Sequence, residues 1–212
     1  PAGTRGISLF VVPKFLPDEH GNPGKRNDLF CSGIEHKLGI HCSPACVMIY
    51  GDGHSKDVGK GAIGYLVGEE NRGLACMFTM MNNARLAVGV QGLAVAEAAF
   101  QKALAFAKER KQGRATGWTG EGMSPIIDHP DVKRMLMQMK ALTQVSRALC
   151  YACAHAIDMS HGQGPDAAHW ADRASLLTPL AKSFSTDVGM EVASLGVQIH
   201  GGMGYVEEGG AA

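Results

Sequence analysis

No stretch of this chain is apolar for long enough to cross a bilayer. Its longest apolar runs, such as Ile7 to Pro13, fall far short of the roughly 20 residues a spanning helix needs. No charged segment leads into an apolar one near the start, so no secretory signal is visible. Net charge is missing as well. Twenty basic residues meet 20 acidic ones among 212 positions, a formal charge of +0. No basic tract exceeds a few residues, which disfavours nucleic-acid binding through a positive footprint. The six cysteines include a single Cys150-x-x-Cys153 and no second CxxC pair. A zinc or redox centre is therefore not expected. Small buried thiols in a reducing cytoplasm account better for the set. No repeat of fixed period is present.

What is there divides into two regimes. The first 70 residues read as short strands between turn residues: Ile7 to Val12, Cys46 to Tyr50, and Ala62 to Val67 with Gly64 interrupting it. Pro17 to Asn27 reads as an exposed turn, and Gly51-Asp52-Gly53 as another. Short strands at this spacing suggest an antiparallel β piece. From about Asn71 the period becomes helical. Leu86, Val90, Leu93, Phe100, Leu104 and Ala107 mark one face of a long helix, expected to end near Lys111 to Gly113. A glycine-rich loop covers residues 113–125. Pro130 suits the first turn of a second helix, with a stripe of Met135, Met139, Leu142, Leu149 and Cys153. Gly162-Gln163-Gly164-Pro165 breaks it. A third helix starts near Asp166, with Leu177, Leu180, Phe184, Val188, Leu195 and Ile199 on its buried side. Three such helices make an antiparallel bundle. The fold expected is α+β and mostly α, the end of an antiparallel β domain over 1–70 followed by a helical bundle over 71–212. The eleven methionines read mainly as core filler, with a methionine-lined groove as the alternative.

Two motifs suggest chemistry. Gln198-Ile199-His200-Gly201-Gly202-Met203-Gly204-Tyr205 follows directly on the third helix. Glycine permits a turn with positive φ and lets a ligand come close, and the Gln198 amide both donates and accepts. Such a loop suits a phosphate or nucleotide, although a plain helix-ending turn has a similar pattern. The second motif, Ala107-Lys108-Glu109-Arg110-Lys111-Gln112-Gly113-Arg114, ends the first long helix, and Asn82-Asn83-Ala84-Arg85-Leu86 lies near its start.

Together with Lys37 to Pro44 and Gly61 to Gly68, in this order and spacing, these motifs resemble the acyl-CoA dehydrogenase family over nearly the whole chain. Met80 to Arg85 and His200 to Glu208 are the pieces that suggest a branch within it. The resemblance implies a helical domain, a middle β domain and a C-terminal bundle, of which this chain would cover the end of the second and part of the third. Pro1 in place of a methionine, and Glu207-Glu208 opening a new element shortly before Ala212, fit a piece of a longer protein. The resemblance further implies oxidation of the Cα–Cβ bond of an acyl-CoA thioester. A carboxylate takes the α proton, FAD takes the β hydrogen as hydride, and an electron-transfer flavoprotein receives the electrons.

On the same comparison Arg110 contacts the FAD pyrophosphate, for which a planar cation is suited. Gln112 and His129 lie near the cofactor, and Gln198, Gly201 and Gly202 receive its adenosine-pyrophosphate part. Arg85 lies near bound CoA, and Asn82 stands where an aspartate is common. FAD shared with a neighbouring subunit implies a homodimer or homotetramer, and a cytoplasmic location is expected. No residue here is assigned as catalytic. The family's glutamate lies in a segment resembling Tyr-Glu-Gly-Thr, which does not occur after Gly204, and at the alternative site before Arg85 stands Ala84. The piece by itself is therefore expected to be inactive. An acyl-CoA oxidase and a non-catalytic DNA-binding relative remain alternatives for the parent protein. A purely structural helical module would leave Arg110 and the glycine loop without a purpose.

Overall fold

The computed structural model describes residues 2–162 and 164–209. Two compact units divide the chain, Pro1–Met80 and Met81–Ala212.

The first unit holds six short strands: β1 (Leu9–Val11), β2 (Phe15–Pro17), β3 (Pro23–Arg26), β4 (Leu29–Ile34), β5 (Cys46–Tyr50) and β6 (Tyr65–Val67). They pair antiparallel as β1 with β6, β2 with β3, and β4 with β5. The expected turn over Pro17 to Asn27 is tighter than the sequence suggests. The Asp18 carboxylate accepts from the His20 and Asn22 backbone N–H at 2.9 and 2.8 Å, an Asx turn that sends the chain straight back as β3. The sequence pattern also passes over β4, whose alternation is broken by an irregularity between Cys31 and Gly33.

Leu29 is the only apolar side chain buried in this unit among the described residues. A polar node takes the place of a core. Asn27 and Asp28 are 1% and 0% exposed. The Asn27 amide donates to the Pro13 and Ile63 carbonyls and accepts from the Ile63 and Asp28 N–H. The Asp28 carboxylate accepts from four backbone N–H groups, those of Gly53, His54, Ser55 and Gly61, at 2.7–3.1 Å. Burial pushes its pKa up, but the four donors together outweigh it and hold it at about 2.

The second unit is built on α1 (Gly73–Glu109), whose first turns up to Met80 belong to the first unit, and on α2 (Pro130–Ser160) and α3 (Ala167–His200). The fold is thus α+β, mostly α. The Gln163 position in the expected helix break lies outside the described residues. Pro130 does occupy the first turn of α2, with His129 as its N-cap. Contacts fix the directions. Arg147 on α2 pairs with Glu97 on α1 at 2.7 Å. Cys150 and Cys153 on α2 meet Ser185 and Thr178 on α3, and Gln138 meets Glu191, so numbers rise on one helix as they fall on the other. Consecutive helices are antiparallel, and α1 therefore runs parallel to α3.

Small residues make the α1–α3 seam. A Cβ placed on Gly89 would come within 2.8 Å of the Ala181 carbonyl oxygen, and one on Gly189 within 2.9 Å of the Gly92 carbonyl oxygen. One on Gly92 would lie 2.8 Å from the Thr186 nitrogen and press on the Ser185 carbonyl. Ala96, Ala103 and Ala107 continue the seam on α1, fully buried in one cluster with Met139, Val188, Val192 and Ile199.

Leu93, Ala107, Val188 and Ile199 are buried as the helical stripes predict, but the seam corrects those stripes at three positions. Val90, Leu180 and Phe184 are exposed, at 44%, 48% and 37%, because side chains of that size cannot enter a contact between backbones. Met135 and Met139 fill the core, but Met80, Met137 and Met190 lie largely exposed, so methionine is not chiefly core filler here. The cysteines divide likewise. Cys150 and Cys153 are buried thiols bonded to hydroxyls, and burial pushes the Cys153 thiol up, whereas Cys31, Cys42 and Cys46 are exposed.

Two outcomes follow for stability. Folding lowers the Asp28 pKa below the unfolded value of about 3.9, so the unfolded chain binds that proton more tightly. The Asp28 contribution is complete above about pH 4 and is lost as pH falls towards about 2. Urea titrations at about pH 5 and pH 2.5 will show a fall for the parent that Asp28→Asn, already destabilised, does not share; equal falls would remove the role. Gly92→Ala will cost about 1–3 kcal/mol through overpacking, read as a lower urea midpoint. Gly202→Ala, where an added Cβ meets nothing within 4 Å, will leave the midpoint almost unchanged. A Gly92→Ala midpoint equal to that control would show that the seam tolerates a methyl.

Candidate functional site

Because α1 and α3 run parallel, their C-terminal ends lie side by side. After Glu109 the chain leaves the helix earlier than the sequence pattern suggests, since residues 110–113 find another partner. The Ile126 N–H donates to the Arg110 carbonyl at 2.8 Å, the Gln112 N–H to the Ser124 carbonyl at 3.0 Å, and the Ser124 N–H to the Gly113 carbonyl at 3.0 Å. Lys111 and Pro125 form an antiparallel bridge. In extended chain alternate side chains share a side, which turns Arg110 and Gln112 the same way and Lys111 the other.

At the end of α3, Gly201 turns the chain with φ 60° and ψ −139°, a conformation open to glycine and costly for other residues. Its N–H caps the helix on the Gln198 carbonyl. A 3-10 turn over Gly201–Tyr205 follows, then another over Glu207–Gly209.

Between these ends lies a cavity of about 360 Å³ lined by Arg110, Gln112, Gly201, Gly202, Met203 and Val206, with Phe106, Ile126, Ile199 and His200 as its apolar and aromatic wall. The Arg110 guanidinium is exposed, without a protein partner among the described residues. The Gly201 and Gly202 positions open to space that a Cβ would occupy without contact. His200 is held twice: its Nδ1 lies 2.7 Å from the Gly196 carbonyl oxygen, and its ring stacks on Phe106 with centroids 4.4 Å apart at 28°. The cavity thus combines a fixed cation, an amide, an apolar wall and a turn without side chains. That set suits an anionic group carried on a larger, partly apolar molecule.

Of the residues singled out in the sequence, Arg110, Gln112, Gly201 and Gly202 come together here. His129 stands behind the cavity: its Nε2 lies 2.9 Å from the Gln112 carbonyl oxygen, so it braces the segment that carries Gln112. The Gln198 side chain is exposed and does not line the cavity; its carbonyl is what serves the turn. Arg85 and Asn82 bond to each other at 3.3 Å near the other end of α1. At about 1.5 Å per residue they lie roughly 37 Å from Arg110 along the helix axis. Phe106, Ile126 and Val206 are wall residues that no sequence pattern isolates, and His200 shows only as a ring beside the glycines. Ala84 offers no proton acceptor, and Glu207 and Glu208 are exposed.

Residues 71–212 match the family model described as acyl-CoA dehydrogenase, C-terminal domain. Over 100% of its length the chain is 51% identical to the 3-methylmercaptopropionyl-CoA dehydrogenase of Ruegeria pomeroyi, of which it covers 35%. It is 35% identical to a butyryl-CoA dehydrogenase of Syntrophomonas wolfei, over 97% of this chain and 34% of that protein. Among solved structures, butyryl-CoA dehydrogenase from Megasphaera elsdenii superposes with a TM-score of 0.70 at 26% identity, over 98% of this chain and 45% of that one. The chain spans about a third of the length of the curated relatives it matches.

Proposed function

Since the chain belongs to the acyl-CoA dehydrogenase family, we propose that it is the part of an FAD-dependent acyl-CoA dehydrogenase that grips the diphosphate of FAD. On this reading residues 1–70 end the middle β domain and 71–212 belong to the C-terminal bundle. The observation that carries the proposal is the convergence of Arg110, Gln112, Gly201 and Gly202 on one cavity.

The donor set fits such a group. Two helix C-termini meet at the cavity, and each presents a partial negative charge that opposes an anion by about 0.3–1 kcal/mol. Arg110 brings a full positive charge and a planar fork able to make paired bonds to phosphate oxygens, worth about 1.5–3 kcal/mol. The terminal carbonyls are also partly occupied, by the Gly201 N–H and by His200. Gly201 and Gly202 let the diphosphate come close to the backbone. Gln112 adds an amide, and His129 keeps that segment in place. Bound FAD supplies the hydride acceptor for Cα–Cβ oxidation of an acyl-CoA thioester, with an electron-transfer flavoprotein as the onward acceptor. Arg85 and Asn82, remote from this cavity, are assigned to the CoA side. Exposed apolar side chains such as Val90, Val95 and Leu180 support a homodimer or homotetramer joined through the bundle.

Arg110→Ala in the full-length protein will weaken flavin binding by about ten- to a hundredfold, and Arg110→Lys will restore only part, because an ammonium cannot pair bidentately. Flavin absorbance retained on dilution measures this, and equal retention by all three proteins would refute the role. The chain by itself will show no acyl-CoA oxidation when given FAD and an electron acceptor. A general base must lie within about 2.6–3.2 Å of its proton or reach it through one water, and the residue before Arg85 is Ala84. Turnover by the purified chain would overturn that assignment.

A further inference from the structure

We propose that Cys31 and Cys46 are a redox-active pair that closes into a reversible disulfide between β4 and β5 by exchange with a small-molecule disulfide. The inference concerns the strand unit and does not depend on the FAD reading of the cavity.

Strand pairing brings the two residues together. Leu29 faces Tyr50, Phe30 faces Ile49 and Cys31 faces Met48, whereas beyond the irregularity Gly33 faces Val47 and Ile34 faces Cys46. Ser32 is thus the extra residue of a bulge, and its hydroxyl donates to the Val47 carbonyl at 3.2 Å. Cys46 lies two residues from Met48, so it shares a side of β5 with the residue that Cys31 faces. In a regular ladder such diagonal neighbours stand about 7–8 Å apart, with their Cβ atoms somewhat closer. A disulfide needs Cβ atoms about 3.5–4.5 Å apart.

Two features close that gap. A bulge bends its strand and increases the local twist. The Cys31 thiol also turns along β4, donating to the Gly33 carbonyl at 3.2 Å. Gly33 leaves it room, since a Cβ there would meet nothing within 4 Å. The Cys31 sulfur thereby reaches the rung next to Cys46, and the two thiols bear on each other. Hydrogen bonding with Cys31, then desolvation and the charge of Cys31, push the Cys46 thiol up. Both residues are exposed, so a small disulfide can reach them. Cys150 and Cys153 are buried against hydroxyls of α3. Cys42, exposed between the two strands, is the competitor that a test must exclude.

The exchange balances without a further reagent. Cys46 holds its proton more firmly than an ordinary thiol, so the first attack is assigned to Cys31. Its thiolate attacks one sulfur of the small disulfide; that S–S bond breaks, a mixed disulfide forms on Cys31, and one thiolate leaves. Cys46 then gives up its proton and attacks the Cys31 sulfur, releasing the second thiolate. Two protein thiols are oxidised, the small disulfide is reduced to two thiols, and the protons of Cys31 and Cys46 pass to them. The new bond ties together the ends of segment 32–45 and fixes the bulge in place.

The test uses the full-length protein, reduced and then equilibrated with glutathione disulfide and glutathione at several ratios. Remaining thiols are alkylated, and peptides are mapped by mass spectrometry. The parent is expected to lose two alkylatable thiols, with the Cys31 peptide joined to the Cys46 peptide within one chain, and dithiothreitol is expected to restore both. Cys42→Ser is expected to form the same link. Cys46→Ser is expected to stop at a glutathione adduct on Cys31. Cys31 and Cys46 that both stay alkylatable in the parent overturn the inference, as does a link through Cys42 or between two chains. Glutathione adducts on the parent that never resolve into the link also overturn it, as does a Cys46→Ser protein that takes up no glutathione at Cys31. Because the readout is peptide mass, each of these failures leaves the FAD reading standing, and equal flavin retention by Arg110→Ala would leave the thiol pair standing.

Discussion

The close contact between α1 and α3 is the constraint on which the rest of the bundle depends. Gly89, Gly92 and Gly189 bring the two backbones to within a distance that admits no side chain between them. At that separation axial sliding is blocked, because each glycine faces a particular carbonyl of the other helix. The order of contacts, with Gly89 at Ala181, Gly92 at Ser185 and Gly196 at Ala99, carries this register to the C-terminal ends. Phe106 can then stack on His200, and Arg110 can stand opposite Gly201. A cavity made from two segments far apart in sequence owes its geometry to a seam many residues away from it.

Much of this was legible in the amino-acid sequence, and the failures share a cause. Helical periodicity located all three helices, and Pro130 marked the start of α2 because its missing N–H costs nothing there. The glycine pair stood out because its residue type lets a ligand come close, whereas Arg110 and Gln112 were singled out by the family resemblance. Leu93, Ala107, Met135, Met139, Cys153, Val188 and Ile199 are buried as expected, while Val90, Leu180 and Phe184 were misread because hydrophobicity ranks such side chains above alanine and glycine. Where two backbones touch, size decides instead, which sends Leu180 and Phe184 outward and Ala181 and Ser185 inward. Strand β4 escaped because its irregularity breaks the period of two. His129 was named from the family resemblance and Gln198 for its amide beside the glycine loop; in the structure the His129 ring bonds to the Gln112 carbonyl and the Gln198 carbonyl accepts the cap of α3. Nothing in one-dimensional spacing separates a residue that faces a cavity from one that supports it.

Order within the cavity comes from backbone groups as much as from side chains. The segment carrying Arg110 and Gln112 is held by three main-chain hydrogen bonds to residues 124–126, and the turn at Gly201 by a main-chain cap. A long arginine loses about 2 kcal/mol of rotamer freedom when it is fixed on a ligand. A rigid base under it limits what else must be ordered at that moment. Family resemblance and local geometry thus share Arg110, Gln112, Gly201 and Gly202, one through motif order and the other through the cavity they line.

The Asn27–Asp28 node has a thermal consequence. Heat capacity rises on unfolding when apolar surface is exposed, by about 0.45 cal/mol/K per Å², and falls when polar surface is exposed, by about 0.26. A unit that buries an amide, a carboxylate and their backbone donors around one leucine exposes an unusually polar surface when it opens. The smaller the apolar share of what is exposed, the smaller that rise and the flatter the stability curve. The polar node thereby lowers the share of this unit's cohesion that weakens on cooling.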